Sequence, residues 1–309
     1  EYSHGAKSMF LGIKELQWDP FWCRESLITE ETLPSIGPSL RKFGKTFGFV
    51  PLPDGIPIMA MMTEEGALMA GTGGTGYGQA LLNLTQQGHV FIHTGKTPLI
   101  PTDRFANTLV LPFAEQSVYA TSNPLSLPVS MAGLIPSDPS FVDQEKSLHK
   151  GQDQVLIIPH SESRDDWEEP FRTNWIRGLT DSTHTEDIRR AYFQAFACQV
   201  KWVLDRVEQD YAIRCKEFFL HGSLSLHSHF IQFLSDILQD PLIRLTYQDE
   251  CLVGCAALVG QWMNFFSEKV AVSKLVKMDR SFIPQLDPIS SFAIYNTWKN
   301  YRDGVVDLA

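Results

Sequence analysis

At 309 residues, 43% hydrophobic and 20% charged, the chain has the composition of a folded globular protein with a large core or two domains, which excludes disorder. Its 36 acidic residues against 26 basic ones give a formal net charge of −10, and with no basic cluster this excludes binding to nucleic acid through phosphate neutralisation. No apolar run reaches the length of a membrane span and no signal peptide opens the chain, so a cytoplasmic protein with no membrane contact is expected.

Residues 1–50 read as the end of a preceding unit. They hold a short apolar run (Met9 to Ile13), the aromatic residues Trp18, Phe21 and Trp22, and a linker from Pro34 to Pro38. The chain opens on Glu1 rather than Met and enters structured text at once, as a fragment would. From Ile56, IPIMAMM predicts a buried strand and TEEGALMAG a short helix. The glycine-rich loop Gly71 to Gly78 lacks the Lys of a phosphate-binding P-loop and has no obvious helix after it. Ala80 to Leu84 and His89 to Thr94 predict a hairpin through Thr85-Gln86-Gln87-Gly88, and Leu109 to Phe113 with Ser117 to Thr121 extend its sheet. A short helix is expected near Val129 to Leu134 within a Pro- and Ser-rich region. Val155 to Pro159 reads as a strand, and residues 161–172 as a polar, solvated loop.

Thr173 to Thr180 predicts a strand ending in Gly178-Leu179-Thr180. A helix over Thr183 to Glu208 follows, with Thr183 and Glu186 as a capping box. Ile188, Tyr192, Ala195, Cys198 and Trp202 share its apolar face, leaving Arg189, Arg190, Asp205 and Arg206 for water. Phe218 to Leu220 then form a strand that ends in His221-Gly222-Ser223, after which Leu226, Phe230, Phe233 or Leu234 and Ile237 recur at helical spacing until Asp240-Pro241. A Gly-Ser turn that opens a helix presents backbone N–H groups and the positive helix end to an anion. His227 and His229 suit a metal only on a strand, since on a helix they point about 200° apart. Ile243 to Tyr247 reads as a strand. Glu250 to Trp262 is apolar nearly all round and is expected to be buried, with Gly254, Ala256 and Ala257 permitting close backbone approach.

The five cysteines, Cys23, Cys198, Cys215, Cys251 and Cys255, are odd in number and sit mainly in apolar helical text, which suits reduced thiols. Cys251 and Cys255 read as packing residues rather than metal ligands. A helix carrying Phe292, Tyr295, Trp298 and Tyr301 closes the domain. Hairpins followed by alternating strands and helices predict an α/β domain, a mixed sheet with helices on its faces.

Certain motifs carry a family resemblance. Ile176-Arg177-Gly178-Leu179 followed by Asp187-Ile188-Arg189-Arg190-Ala191-Tyr192-Phe193-Gln194 resembles the second signature of the FGGY carbohydrate kinases, with Asn174 and Tyr192 departing from the usual residue types. EYSHGAKSM and LGIKELQWD are similar to the family's run of Asp, Ala, Ser and Arg-Thr and to its segment ending in Leu-x-Trp-Asp. LIIPHSESR resembles its apolar strand and loop, and residues 218–262 its adenosine-side Gly-Gly segment and the helices after it. The resemblance covers nearly the whole chain. It implies a ribonuclease H-like, actin-like ATPase fold in two domains, residues 1–50 ending the N-terminal domain and linker and 51–309 forming the C-terminal, nucleotide-side domain. The missing N-terminal domain or a partner chain would have to complete the cleft, and a homodimer is also expected.

The activity so implied is ATP-dependent phosphorylation of a ketose or polyol hydroxyl, with Mg²⁺. Glu64 aligns with the family's catalytic Asp, one methylene longer; the residues alone equally suit an acid pair complementing a helix dipole. Gly88 is the one glycine kept from the family's phosphate hairpin, where a plain turn is the alternative. Gly178, Thr180, Gly222, Ser223 and Gly254 are the other nucleotide contacts implied, with Ser223 standing where a second glycine is usual. The rival expectation is a catalytically inactive relative, a pseudokinase or interaction module, because base, hairpin and glycine turn all depart from the pattern together.

Overall fold

The computed structural model describes residues 1–126 except 75, 86, 97, 100–104, 114 and 123–124, then 155–158, 175–265 except 247–248, and 277–306, with 87, 105–126 and 305–306 described as backbone only. The helix expected near Val129 to Leu134 and the loop at 161–172 lie outside these residues.

The central element is a pair of short strands with both faces covered. β5 (Gln79–Asn83) and β12 (Glu217–His221) run parallel, with Phe218 opposite Ala80 and His221 opposite Asn83. Successive side chains leave a strand on opposite faces, and here each face meets its own helical layer. Ala80, Leu82, Phe218 and Leu220 belong to the large core under α4 (Thr185–Tyr211), α5 (Ser228–Leu238) and α7 (Pro288–Val306). Leu81 and Phe219 face Leu68 and Met69 of α3 (Glu64–Thr72) on the other side, which α6 (Glu250–Trp262) also covers. Unbroken apolar runs are what a strand buried on both faces requires.

Around this pair the sheet grows in both directions. β13 (Leu242–Leu245) adds parallel to β12, and β14 (Met278–Phe282) adds antiparallel at that edge. β6 (Gln87–Gly95), β7 (Phe105–Phe113) and β8 (Glu115–Ser122) form the antiparallel half, in the order β5-β6-β8-β7, with β9 (Leu125–Ser126) also on β6. The expected hairpin and its extension are therefore present, and the sheet is mixed.

Three expected strands lie elsewhere. IPIMAMM yields β4 (Pro57–Ala60), which pairs with β3 (Leu40–Lys45) in a separate two-stranded ribbon. Ile58 there is 43% exposed, so the apolar run is not a buried strand. β10 (Leu156–Ile158) and β11 (Trp175–Arg177) likewise pair only with each other. α4 begins two residues later than its expected start, because Asp187 rather than Glu186 turns back to accept the His184 N–H at 3.0 Å. Arg189, expected in water, is 9% exposed. The first turn of the chain, α1 (Tyr2–Lys7), braces α3: Ser3 Oγ accepts the Thr63 N–H at 2.9 Å, and Lys7 pairs with Glu65.

Candidate functional site

In sheets of this kind ligands bind beyond the carboxyl ends of the parallel strands, and it is there that the polar residues of this chain converge. β5 ends at Asn83 and β12 at His221, side by side. The Leu84 N–H donates to the His221 carbonyl at 2.7 Å, and the Leu84 carbonyl accepts from Leu224 N–H at 3.2 Å, so the chain after β12 is folded onto the end of β5. Gly222 makes this approach possible. Its φ is +95°, and a Cβ there would lie 2.7 Å from the Leu84 carbonyl carbon and oxygen. Only glycine meets both demands.

After Gly222 the chain does not enter α5 directly. A single 3₁₀ turn, Ser223–Leu226, intervenes, and α5 starts at Ser228 behind His227. The N–H groups of Leu224, Ser225 and His227 are bonded to the carbonyls of Leu84, Gly222 and Leu224 respectively. The turn thus offers an anion fewer backbone donors than a helix opening at Gly222 would, and Ser223, which is exposed, is left as its outward polar residue. Arg244 of β13 holds the far end: its Nη1 lies 3.3 Å from the Ser225 carbonyl, 3.4 Å from that of Leu226 and 3.3 Å from Ser228 Oγ, while Nε donates to Asp279 at 2.7 Å.

The first turn of α6 joins this wall to the acid at position 64. Glu250, 4% exposed, accepts at Oε2 from His221 Nδ1 across 3.0 Å. The next residue, Cys251, directs its thiol at the Glu64 carbonyl, 3.7 Å away. Burial, helped by the negative charge of Glu64, pushes the Cys251 thiol up to about 11, so it stays protonated at neutral pH. α3 and α6 cross in backbone contact: a Cβ on Gly71 would fall 1.8 Å from the Glu250 carbonyl oxygen, and one on Gly254 would fall 2.2 Å from that of Ala67. Glu64 is exposed at the N-terminus of α3. Glu65 is tied down: burial would raise its pKa, but Lys7 and the hydroxyl of Thr63 outweigh this and hold it below the ordinary carboxylate value.

The expected site residues therefore divide. The Glu64 carbonyl meets Cys251 in the first turn of α6, and Gly222 and Ser223 follow His221, which pairs with Glu250 in the same turn. Gly254 sits in the α3–α6 crossing, where its role is to let backbones touch. Gly88 is buried, and a Cβ there would come within 2.9 Å of the Phe196 ring; it makes room for α4. Gly178, with φ of +87°, and Thr180 lie at the exposed entry to α4, where Thr180 N–H donates to Thr183 Oγ1 at 2.8 Å. Glu250 and Arg244 were not picked out from the sequence, and His221 was read there only as the end of its strand and a neighbour of His227 and His229. One signal was available for Glu250, an acid opening an otherwise apolar helix. No group of three His, Cys, Asp or Glu side chains among the described residues could hold a metal ion, and all five cysteines are free.

Comparison with known proteins shows what this chain is similar to. Residues 139–262 match the C-terminal domain of the FGGY family of carbohydrate kinases. Over 97% of its length it is similar to the glycerol kinase of Bacillus cytotoxicus, at 22% identity, and to that of Chloroflexus aurantiacus, at 24%. It spans only 62% and 61% of those relatives. Among solved structures it resembles Plasmodium falciparum glycerol kinase with ADP (TM-score 0.82, 21% identity, 95% of this chain and 60% of that one). It also resembles xylulose kinase from Rhodospirillum rubrum (TM-score 0.75, 18% identity, 97% and 62%). The likeness shows the fold, the expected ribonuclease H-like arrangement of a mixed sheet flanked by helices.

Proposed function

We propose that this chain supplies the nucleotide-side half of an ATP-dependent carbohydrate kinase, which transfers the γ-phosphoryl group of ATP to a hydroxyl of a ketose or polyol. The observation that carries the reading is the meeting of the Gly222 turn and the Glu64 helix at the first turn of α6, in a chain similar to glycerol kinases over 97% of its length. Phosphoryl transfer is mostly positioning and charge stabilisation, with a carboxylate to accept the proton of the attacking hydroxyl. Glu64 is an exposed carboxylate at a helix N-terminus and suits that base. The exposed Ser223 and the Gly222 backbone suit the phosphates, and Thr180 and Gly178 would extend the nucleotide wall. Mg²⁺ is ordinarily carried on the nucleotide phosphates with several waters and one or two carboxylates, so the absence of a three-ligand cluster among the described residues is compatible with it.

On this reading residues 1–50 end the N-terminal domain and 51–309 form the nucleotide-side one. The sugar would be read mainly by an N-terminal domain or partner chain, and a cytoplasmic location follows from the substrates. No helix among the described residues is long and apolar enough to cross a membrane. The test is a coupled assay of ADP release, run on this chain together with the N-terminal domain or partner chain that completes the cleft, with glycerol and a panel of pentuloses. Sugar-dependent ADP release, lowered roughly 10²–10⁴-fold by Glu64→Gln, is expected. No sugar-dependent release, together with no ATP binding by calorimetry, overturns the kinase reading, and an unaffected rate in Glu64→Gln removes that residue from the chemistry.

A further inference from the structure

One buried carboxylate has no part in the chemistry above. Glu250 lies at the start of a helix whose other side chains in this turn are apolar, and it is 4% exposed. A carboxylate so enclosed is costly unless bonded, and its partner is the imidazole of His221, 3.0 Å away. His221 is the last residue of β12 and immediately precedes the glycine that folds the turn onto Leu84. The same residue also meets the other half of the site. The Glu250 carbonyl occupies the space a Cβ on Gly71 would need, and Gly71 is in the helix that begins with Glu64. Side chain and backbone of one residue thus touch the residue that leads into the nucleotide turn and the helix of the base.

We propose that Glu250 is a positioning residue that sets the Gly222–Ser223 turn at a fixed distance from Glu64. Its side chain fixes His221, and through it the entry to the turn; its backbone fixes the crossing of α3. The inference rests on the kinase reading and adds to it a residue that touches neither phosphate nor sugar. A residue acting by position alone affects nucleotide binding through its partner, so the effects of removing either member of the pair should not add.

The experiment is calorimetric titration of the full chain with MgADP, run on wild type, Glu250→Gln, His221→Asn and the double variant, with thermal melting of each. Each single variant is expected to weaken ADP about tenfold, and the double variant no more than either single one. Glu250→Gln retains the shape of the side chain and guards against simple unfolding, and a melting temperature close to wild type with weakened ADP separates positioning from general loss of structure. Wild-type ADP binding that survives in both single variants within twofold, or effects that multiply in the double variant, overturns the positioning role alone. Absence of ADP binding by the wild type overturns both this role and the nucleotide reading on which it rests.

Discussion

Gly222 illustrates how one missing side chain can fix a turn. Alanine there would need a left-handed backbone and would press its methyl group onto the Leu84 carbonyl. Gly222→Ala is expected to cost roughly 2–3 kcal/mol, measurable as a lower denaturation midpoint with an unchanged slope. Asp236 of α5 presents the opposite case, a buried side chain that stands in for missing secondary structure. Its Oδ1 accepts the N–H of Gln285 at 2.6 Å, that of Leu286 at 3.2 Å and Gln232 Nε2 at 3.1 Å. Removing it strands two backbone donors, so Asp236→Ala should cost about 2–4 kcal/mol, while Asp236→Asn, which keeps one acceptor oxygen, should cost less. Equal losses in the two variants would argue against the hydrogen bonds as the cause.

Among the elements, α6 shows what the sequence could and could not convey. Its bounds were legible, since Asp249 and Glu250 precede an uninterrupted apolar run. Its burial was not. Gly254 lets one side press against the backbone of α3, and that narrow contact leaves Leu252, on the other side, 70% exposed. Hydrophobicity all round a helix therefore meant close approach on one face rather than enclosure on all. Gly254→Ala would drive a methyl group into the Ala67 carbonyl and should destabilise by about 3 kcal/mol or more, although alanine is the better helix former by about 1 kcal/mol; a stabilised variant would contradict the crossing. β5 and β12 were legible for a simpler reason: a short apolar run suits a strand covered on both faces. β4 misled because its apolar run lies in a two-stranded ribbon, and nothing local distinguishes that from a core strand. The pair His221–Glu250 was illegible because its members, 29 positions apart, meet only once α6 is packed across the strand ends. The resemblance of short motifs points to Glu64, Gly222, Gly88 and Gly254 alike; it could not reveal that a Cβ at the last two would meet the Phe196 ring and the Ala67 carbonyl.

At the scale of the whole molecule, His93, Glu1 and Glu65 among the described residues act in the same direction with pH. Burial holds His93 below the ordinary imidazole value of 6.5. The unfolded chain then takes up a proton near that pH that the folded chain refuses, so stability falls as pH drops below about 6.5. Glu1 and Glu65 are also held below the ordinary 4.5: burial would raise them, but hydrogen bonds from Ser39, Ser3 and His4 to Glu1, and from Lys7 to Glu65, outweigh it. A depressed carboxylate stabilises above its unfolded value, and that contribution is lost as pH falls through the folded one. Denaturation measured from pH 8 to 4 should therefore show a first decline below about 6.5 that His93→Gln flattens, and a second below about 4.5 that Lys7→Ala lessens.

The parallel pairing of β5 with β12 joins residues far apart in the chain, Gln79 bonding to Glu217 across 138 positions. β6 can close on β5 as soon as the hairpin is made, but the other edge of β5 has no strand beside it until residue 221 has left the ribosome. At roughly 5–20 residues per second that edge waits about seven to thirty seconds, with Leu81 and Leu82 uncovered. A nascent chain stalled between residues 130 and 215 should thus be a target for chaperones and for pairing with a second nascent copy, and release of both should coincide with synthesis of β12.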